Sequence, residues 1–149
     1  GGADHCRGES CRRAACAPVS RSMADGETTL AHLRQRVADF IHARDWEQYH
    51  TPRNLSVAIA VEAAELMEHF QWSTPEQAEV GMQQDAKRAA VAEELADVLI
   101  YALSLANALN LDLSTTICAK LATNESRFPV GQWRGRARGV DDASSGPAR

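Results

Sequence analysis

Between residues 29 and 130 the apolar positions return every three or four residues, and no run alternates with the period of two that a half-buried strand requires. Leu30, Leu33, Val37, Phe40 and Ile41 mark one face of a first helix, which Thr28 or Thr29 can cap and which should run to about Glu47. Pro52 and Asn54 interrupt the pattern. Leu55, Ile59, Leu66 and Phe70 then mark a second helix over about 55–71. Ser73-Thr74-Pro75-Glu76 reads as a cap, a proline at the first helical position and an acid in the first turn, opening a short helix or loop that ends near Gly81. Val91, Leu95, Val98, Leu99, Ala102 and Leu105 predict a long helix from Asp85 to about Leu109, with Asn110 suited to its C-terminus. Ser114 should cap a last helix carrying Ile117, Cys118 and Leu121, stopped by Pro129. Four main helices on short connections predict an all-α fold, an antiparallel four-helix bundle.

Two of these helices carry acids where apolar residues belong. At about 100° per residue, Glu62 falls between Ile59 and Leu66 on the stripe of Leu55, and Glu65 lies one step round beside Ala58 and His69. Glu94 shares a stripe with Val98, Tyr101 and Leu105, and Asp97 flanks it next to Ser104. A spacing of three stacks two side chains on one face. Four inward carboxylates without a partner would protonate or unfold the bundle, so a positive charge must sit among them. Hard oxygen ligands select Mg²⁺, Mn²⁺ or Ca²⁺ over softer metals. A di-iron bundle asks for Glu-x-x-His on two helices. Leu66 stands three residues before His69 and no histidine lies near Glu94, so that pattern is not met. Glu68 and Glu93 read as solvated.

Composition matters chiefly by region. A length of 149 residues suits one domain, able to bury a core without disulfides or a structural metal. The net charge of −4 divides into eight basic and fourteen acidic side chains over residues 30–130 and a small positive excess at the ends. An acidic centre excludes a surface that coats polymeric nucleic acid, and phosphates handled there need a mediating cation. No run approaches the 18 apolar residues of a membrane span, so no membrane partner is expected. Cys6, Cys11 and Cys16 lack the paired spacing of a zinc site, and Cys118 reads as a small buried side chain. Residues 1–28 read as a disordered leader, of which 1–22 has no secretory apolar stretch, with Met23 as a natural start. Residues 131–149 read as a disordered tail with Trp133 as its one docking residue, which leaves 29–130 as the domain. With nothing pointing to secretion, the cytoplasm is the default compartment.

Glu62-Ala-Ala-Glu65, Glu93-Glu94-Leu-Ala-Asp97 and Lys120-x-x-x-Asn124 together resemble the MazG-like all-α nucleoside triphosphate pyrophosphohydrolases. Arg44-Asp-Trp-Glu-Gln-Tyr-His50, Pro52-Arg-Asn-Leu55, Phe70-Gln-Trp72, Asp97-Val-Leu-Ile-Tyr101 and Arg127-Phe-Pro129 look like the dCTP pyrophosphatase branch. The resemblance covers about 29–130, nearly all of the predicted domain. It implies a MazG-type helical fold assembled as a homodimer or homotetramer, with the active site between helices. It also implies Mg²⁺-dependent hydrolysis of a nucleoside triphosphate to the monophosphate and pyrophosphate, with Mn²⁺ as a substitute. Glu62, Glu65, Glu94 and Asp97 match the family's metal ligands. Trp46, Glu47, Gln48, Tyr49 and His50, with Trp72 and Tyr101, match the region that holds base and sugar. Lys120 and Asn124 sit where the family has its Lys and Asn, near the phosphates.

Two departures bear on base choice: human-type members place a His in the first helix where this chain has Val37, and the loop after Trp72 differs. The favoured substrate is dCTP or a modified dCTP, drawn from the nucleotide pool that such an enzyme sanitises. The alternatives are the same chemistry on dUTP, dTTP or an oxidised purine, or a non-catalytic helical dimerisation module that keeps the acids as ion sites. In the expected reaction, water attacks the α-phosphorus while metal ions act as Lewis acid and template. Glu65 is assigned as the base, and Lys120 offsets charge on the leaving group.

Overall fold

Thr29 accepts a hydrogen bond from the His32 amide at 3.2 Å and starts α1, Leu30–His42. A computed structural model describes residues 23–136, so residues 1–22 of the expected leader and residues 137–149 of the expected tail lie outside the described residues. The first helix ends five residues before Glu47. Asp45 takes a left-handed backbone, φ 54°, its amide donates to the His42 carbonyl at 3.0 Å, and the Trp46 amide donates to the Ile41 carbonyl at 3.2 Å. That pair of bonds closes a Schellman turn and folds 46–50 back instead of extending the helix.

Pro52 opens α2, Pro52–Glu68, rather than breaking the pattern. At the first helical position its missing N–H is no loss, and Thr51 caps the helix by accepting from the Asn54 amide at 3.3 Å. The helix therefore begins three residues earlier than expected, and residues 69–72 form turns rather than its last turn. A reciprocal capping box, with Thr74 accepting from the Gln77 amide and Gln77 from the Thr74 amide, starts α3, Pro75–Gly81.

The long helix α4, Asp85–Ala108, ends as α1 does. Asn110 takes φ 50°, and the Asn110 and Leu111 amides donate to the Asn107 and Ala106 carbonyls at 3.1 and 2.9 Å. Asp112, not Ser114, caps α5, Leu113–Arg127, by accepting from the Thr115 amide at 2.7 Å. One further turn, α6, Val130–Trp133, follows Pro129. It takes in residues 131–133 of the expected tail, and Trp133 meets Phe128 edge to face at 5.1 Å.

The expected all-α class holds: among the described residues there is no strand, and no helix is long and apolar enough to cross a membrane. The helices pack unevenly. α2 lies along α4, and α1 packs on α4. The core is Ile41, Leu55, Leu103 and Ala106 with the polar Ser104. Arg34 ties α1 to the end of α4: its Nε donates to Asn107 Oδ1 at 2.9 Å, and Asn107 Nδ2 donates back to the Arg34 carbonyl at 3.0 Å. Among the described residues α5 has no buried residue, and the fourth long helix is present without closing the bundle against them. Leu95 and Leu99, two of the apolar positions that mark α4, are exposed, and so is Cys118, expected to be buried on α5.

Candidate functional site

The three-residue spacing puts Glu62 and Glu65 on the same side of α2, and packing of α2 along α4 brings Glu94 to them. One carboxylate oxygen from each of the three lies within 4.8 Å of the others. Glu62 and Glu94 are half-buried and Glu65 is exposed, so the acids stand at the solvent edge of the α2–α4 contact rather than in the core. Asp97, half-buried one turn beyond Glu94, stands outside that set of three and adds its charge to the field at Glu62. Partial desolvation, then the charges of Glu65, Asp97 and Glu94, hold the Glu62 carboxyl above the ordinary carboxylate value. Among the described residues no Lys, Arg or His forms an ion pair with any of the four. Oxygen donors alone, like-charged and open to solvent, are what a hard divalent cation takes.

Beside the acids a groove of about 630 Å³ runs between α1 and α4. Val37, Phe40, Trp46, His50, Asp97 and Tyr101 are among its walls, so Asp97 and Tyr101 join the acidic end to an aromatic one. Residues 44–50 supply that end because the Schellman turn folds them against α1. Arg44 caps the Phe40 ring at 3.6 Å and donates from Nη1 to the Phe40 carbonyl at 2.9 Å. Phe40 meets Trp46 edge to face at 6.0 Å, and Trp46 lies nearly parallel to His50, 6.3 Å between ring centres. His50 Nδ1 lies 2.8 Å from the Trp46 carbonyl oxygen.

Other residues expected at the site stand elsewhere. Glu47 faces a second cavity of about 520 Å³ with Asp39, Asn107 and His50, and pairs with His42 at 2.7 Å. A backbone hydrogen bond and then His42 hold its carboxyl below the ordinary value. Gln48 Nε2 donates to the Asp45 carbonyl, and the Tyr49 carbonyl accepts from Asn54 Nδ2, so both bind the turn together. The Tyr49 ring is exposed, and Trp72 is 88% exposed in the turn after α2. Lys120, exposed, and Asn124, half-buried, are on α5 and line neither cavity. Sequence reasoning placed Phe40 only in a helix face, yet it is a wall of the groove. Its four-residue spacing from Arg44 was the available signal.

Comparison with known proteins gives one consistent picture. A family model described as the MazG-like family matches residues 57–142. The dCTP pyrophosphatase 1 of Rattus norvegicus is 44% identical over 135 residues, covering 89% of this chain and 76% of the relative. That of Bos taurus is 42% identical over 140 residues, covering 94% and 80%. A solved pyrophosphatase from Archaeoglobus fulgidus superposes with a TM-score of 0.61 at 36% identity, covering 66% of this chain and 91% of that one.

Proposed function

The chain belongs to the MazG-like family, and from that premise we propose a nucleoside triphosphate pyrophosphohydrolase that splits a deoxynucleoside triphosphate into the monophosphate and pyrophosphate. The preferred substrate is dCTP or a modified dCTP, in line with the name the rat and bovine relatives carry. The observation that carries the reading is three carboxylates within 4.8 Å of one another beside a groove that Asp97 and Tyr101 share with Trp46 and His50. Such an enzyme would sanitise the cytoplasmic nucleotide pool, without a polymeric nucleic acid or a membrane as partner.

The donor set fits Mg²⁺: it is all oxygen and partly solvated, and partial desolvation followed by mutual repulsion raises the proton affinity of Glu62. Mn²⁺ suits the same donors. Glu62, Glu65, Glu94 and Asp97 would hold the ion, which when bound would supply charge neutralisation and Lewis-acid polarisation of the phosphate oxygens. Glu65, the exposed member, takes the proton from the water that attacks the α-phosphorus. As the new P–O bond forms, the bond to the bridging oxygen breaks and pyrophosphate leaves. Trp46, His50 and Tyr101 hold base and sugar, with aromatic stacking contributing about 1–3 kcal/mol per base. Glu47, Gln48 and Tyr49 act through the turn that presents Trp46 and His50.

Trp72, Lys120 and Asn124 stand on segments that a single chain leaves largely uncovered, and they complete the site in a homodimer or homotetramer. A second copy of the chain would cover the apolar positions left exposed on α2, α4 and α5, among them Val57, Val61, Leu95, Ile117 and Leu121. Lys120 would then meet the charge of the departing pyrophosphate, and Asn124 the phosphates.

Incubation with a panel of deoxynucleoside triphosphates, with Mg²⁺ or with chelator, tests the reading. The expected products are monophosphate and pyrophosphate, formed only with the cation. Release of orthophosphate and a diphosphate, or no turnover, overturns it.

A further inference from the structure

We propose that Lys87 is a positioning residue for Trp72: its side chain crosses Gly81 to the face of Phe70 and fixes the turn that holds the tryptophan out toward the substrate. The inference rests on the pyrophosphohydrolase reading, in which Trp72 completes the site, and adds what keeps that ring in place. Trp72 is 88% exposed, so its own packing cannot orient it. Its backbone lies in a β-turn that Phe70 opens and that the Ser73 amide closes, donating to the Phe70 carbonyl at 3.0 Å. The Phe70 and Gln71 amides donate to the Met67 carbonyl at 3.0 and 3.1 Å, and Thr74 caps α3 directly after the turn. The turn is thus strung between the end of α2 and the start of α3, and α3 is not among the helices packed closely on α4.

Lys87 supplies the tie from α4. It stands half-buried in the first turn of that helix, where a cation opposes the helix macrodipole. Among the described residues no carboxylate pairs with it, although Glu76 lines the same surface cleft. Neither the helix nor an acid therefore accounts for the charge at this place. The aromatic ring does: Lys87 Nζ lies 5.8 Å from the centre of Phe70, itself half-buried, within reach of a cation–π attraction. The way to the ring runs over Gly81, the buried last residue of α3. A Cβ there would stand 3.2 Å from Lys87 Cδ and 3.3 Å from Nζ. Glycine leaves that space open and the lysine fills it. One side chain of α4 therefore meets both the end of α3 and the first residue of the Trp72 turn.

Steady-state kinetics with Mg²⁺, with and without Trp72, separate a brace from a general support. Lys87→Ala should raise KM for the preferred deoxynucleoside triphosphate by about 3- to 10-fold and leave kcat within about twofold. Lys87→Arg keeps a cation over the ring and should restore most of the loss. Trp72→Ala should raise KM at least as far, and adding Lys87→Ala to it should change nothing more, because no ring is left to position. An unchanged KM in Lys87→Ala or in Trp72→Ala, or a further rise in the double variant, overturns the proposal. With 5-fluorotryptophan at all three tryptophans, the ¹⁹F line of Trp72, identified by its loss in Trp72→Phe, should sharpen in Lys87→Ala as the turn loosens. The lines of Trp46 and Trp133 should stay as they are. A Trp72 line that does not change, or all three changing together, would also overturn the proposal. Absence of pyrophosphate release by the wild type would overturn the pyrophosphohydrolase reading instead, with the ¹⁹F line still deciding whether Lys87 holds the turn.

Discussion

α4 and α5 are adjacent helices, each with an apolar pattern, and they meet different fates. The C-terminal half of α4 buries Leu103, Ser104 and Ala106 in the part of the fold that α1 and α2 cover. α5 buries nothing, leaving Ile117 and Leu121 49% and 53% exposed. The division parallels the proposed roles: the four acids stand on α2 and α4, which pack on one another, and Lys120 and Asn124 stand on α5, which buries no residue among the described ones. Metal binding should therefore be a property of the single chain, and handling of the phosphates a property of the assembly.

The largest effect should come from the packed side of this divide. Glu94→Gln removes one of the three converging oxygens and should lower kcat by about 10²–10³-fold with helix content by circular dichroism unchanged. Activity within a few-fold of wild type would remove Glu94 from the cluster. Glu62→Gln should be equally inactive, yet it should melt higher than wild type in chelator at pH 7. The Glu62 carboxyl lies above its ordinary value of 4.5, so its charged form weakens the metal-free fold above that value, and the loss is recovered as pH falls through the raised one. Added Mg²⁺ should close the gap in melting temperature by stabilising wild type more.

The unpacked side breaks differently. Ile117→Asp with Leu121→Asp places charges on the exposed face of α5. If a second copy covers that face, the double variant should run as a smaller species in light scattering and lose about 10²-fold in turnover. Its Mn²⁺ affinity should stay near wild type, because α2 and α4 are untouched. A variant that keeps its assembly and its activity would break the proposed division of labour.

The same divide separates what the sequence shows from what it hides. Periodicity located every long helix, and the three-residue spacing of Glu62 with Glu65 marked the carboxylate cluster. Local hydrogen-bond competition moved the ends. Asp45 at φ 54° ends α1 early, Pro52 starts a helix because it stands at the first position, and Asp112 outcompetes Ser114 as a cap. None of these follows from apolar spacing. Burial was the least legible property. Leu95, Leu99 and Cys118 lie on apolar stripes, but a stripe says only that some surface is covered, not that the same chain covers it. Trp46 and His50 reach the groove through the Schellman turn and meet Asp97 and Tyr101 of α4 there, whereas Trp72, Lys120 and Asn124 line no part of it.

Within the packed side, Arg34→Ala should cost stability rather than assembly. It frees Asn107 Oδ1 and loosens the end of α1 from the end of α4, in a part-buried setting where a broken charged hydrogen bond costs about 1–3 kcal/mol. Urea unfolding should show that loss with no change in mass by light scattering. An unchanged midpoint would mean that the α1–α4 contact is held by Ile41 and Leu103 alone.

The smallest effect sharpens the comparison at the start of α5. Asp112 accepts from the Thr115 amide, and that bond holds its carboxyl below the ordinary value of 3.8. A depressed carboxyl contributes its stability above the unfolded value and loses it as pH falls through the folded one. The cap should therefore be complete at neutral pH and fail only in strong acid. Asp112→Ala removes it at every pH. Because α5 buries nothing in the chain, losing the cap should fray its first turn without unfolding the α1–α2–α4 core. Hydrogen exchange should show the Thr115 and Thr116 amides exchanging faster in Asp112→Ala at pH 7, with Leu103 and Ala106 as protected as in wild type. Equal acceleration in both places would mean that α5 and α4 unfold as one unit and that the divide between them is only geometric.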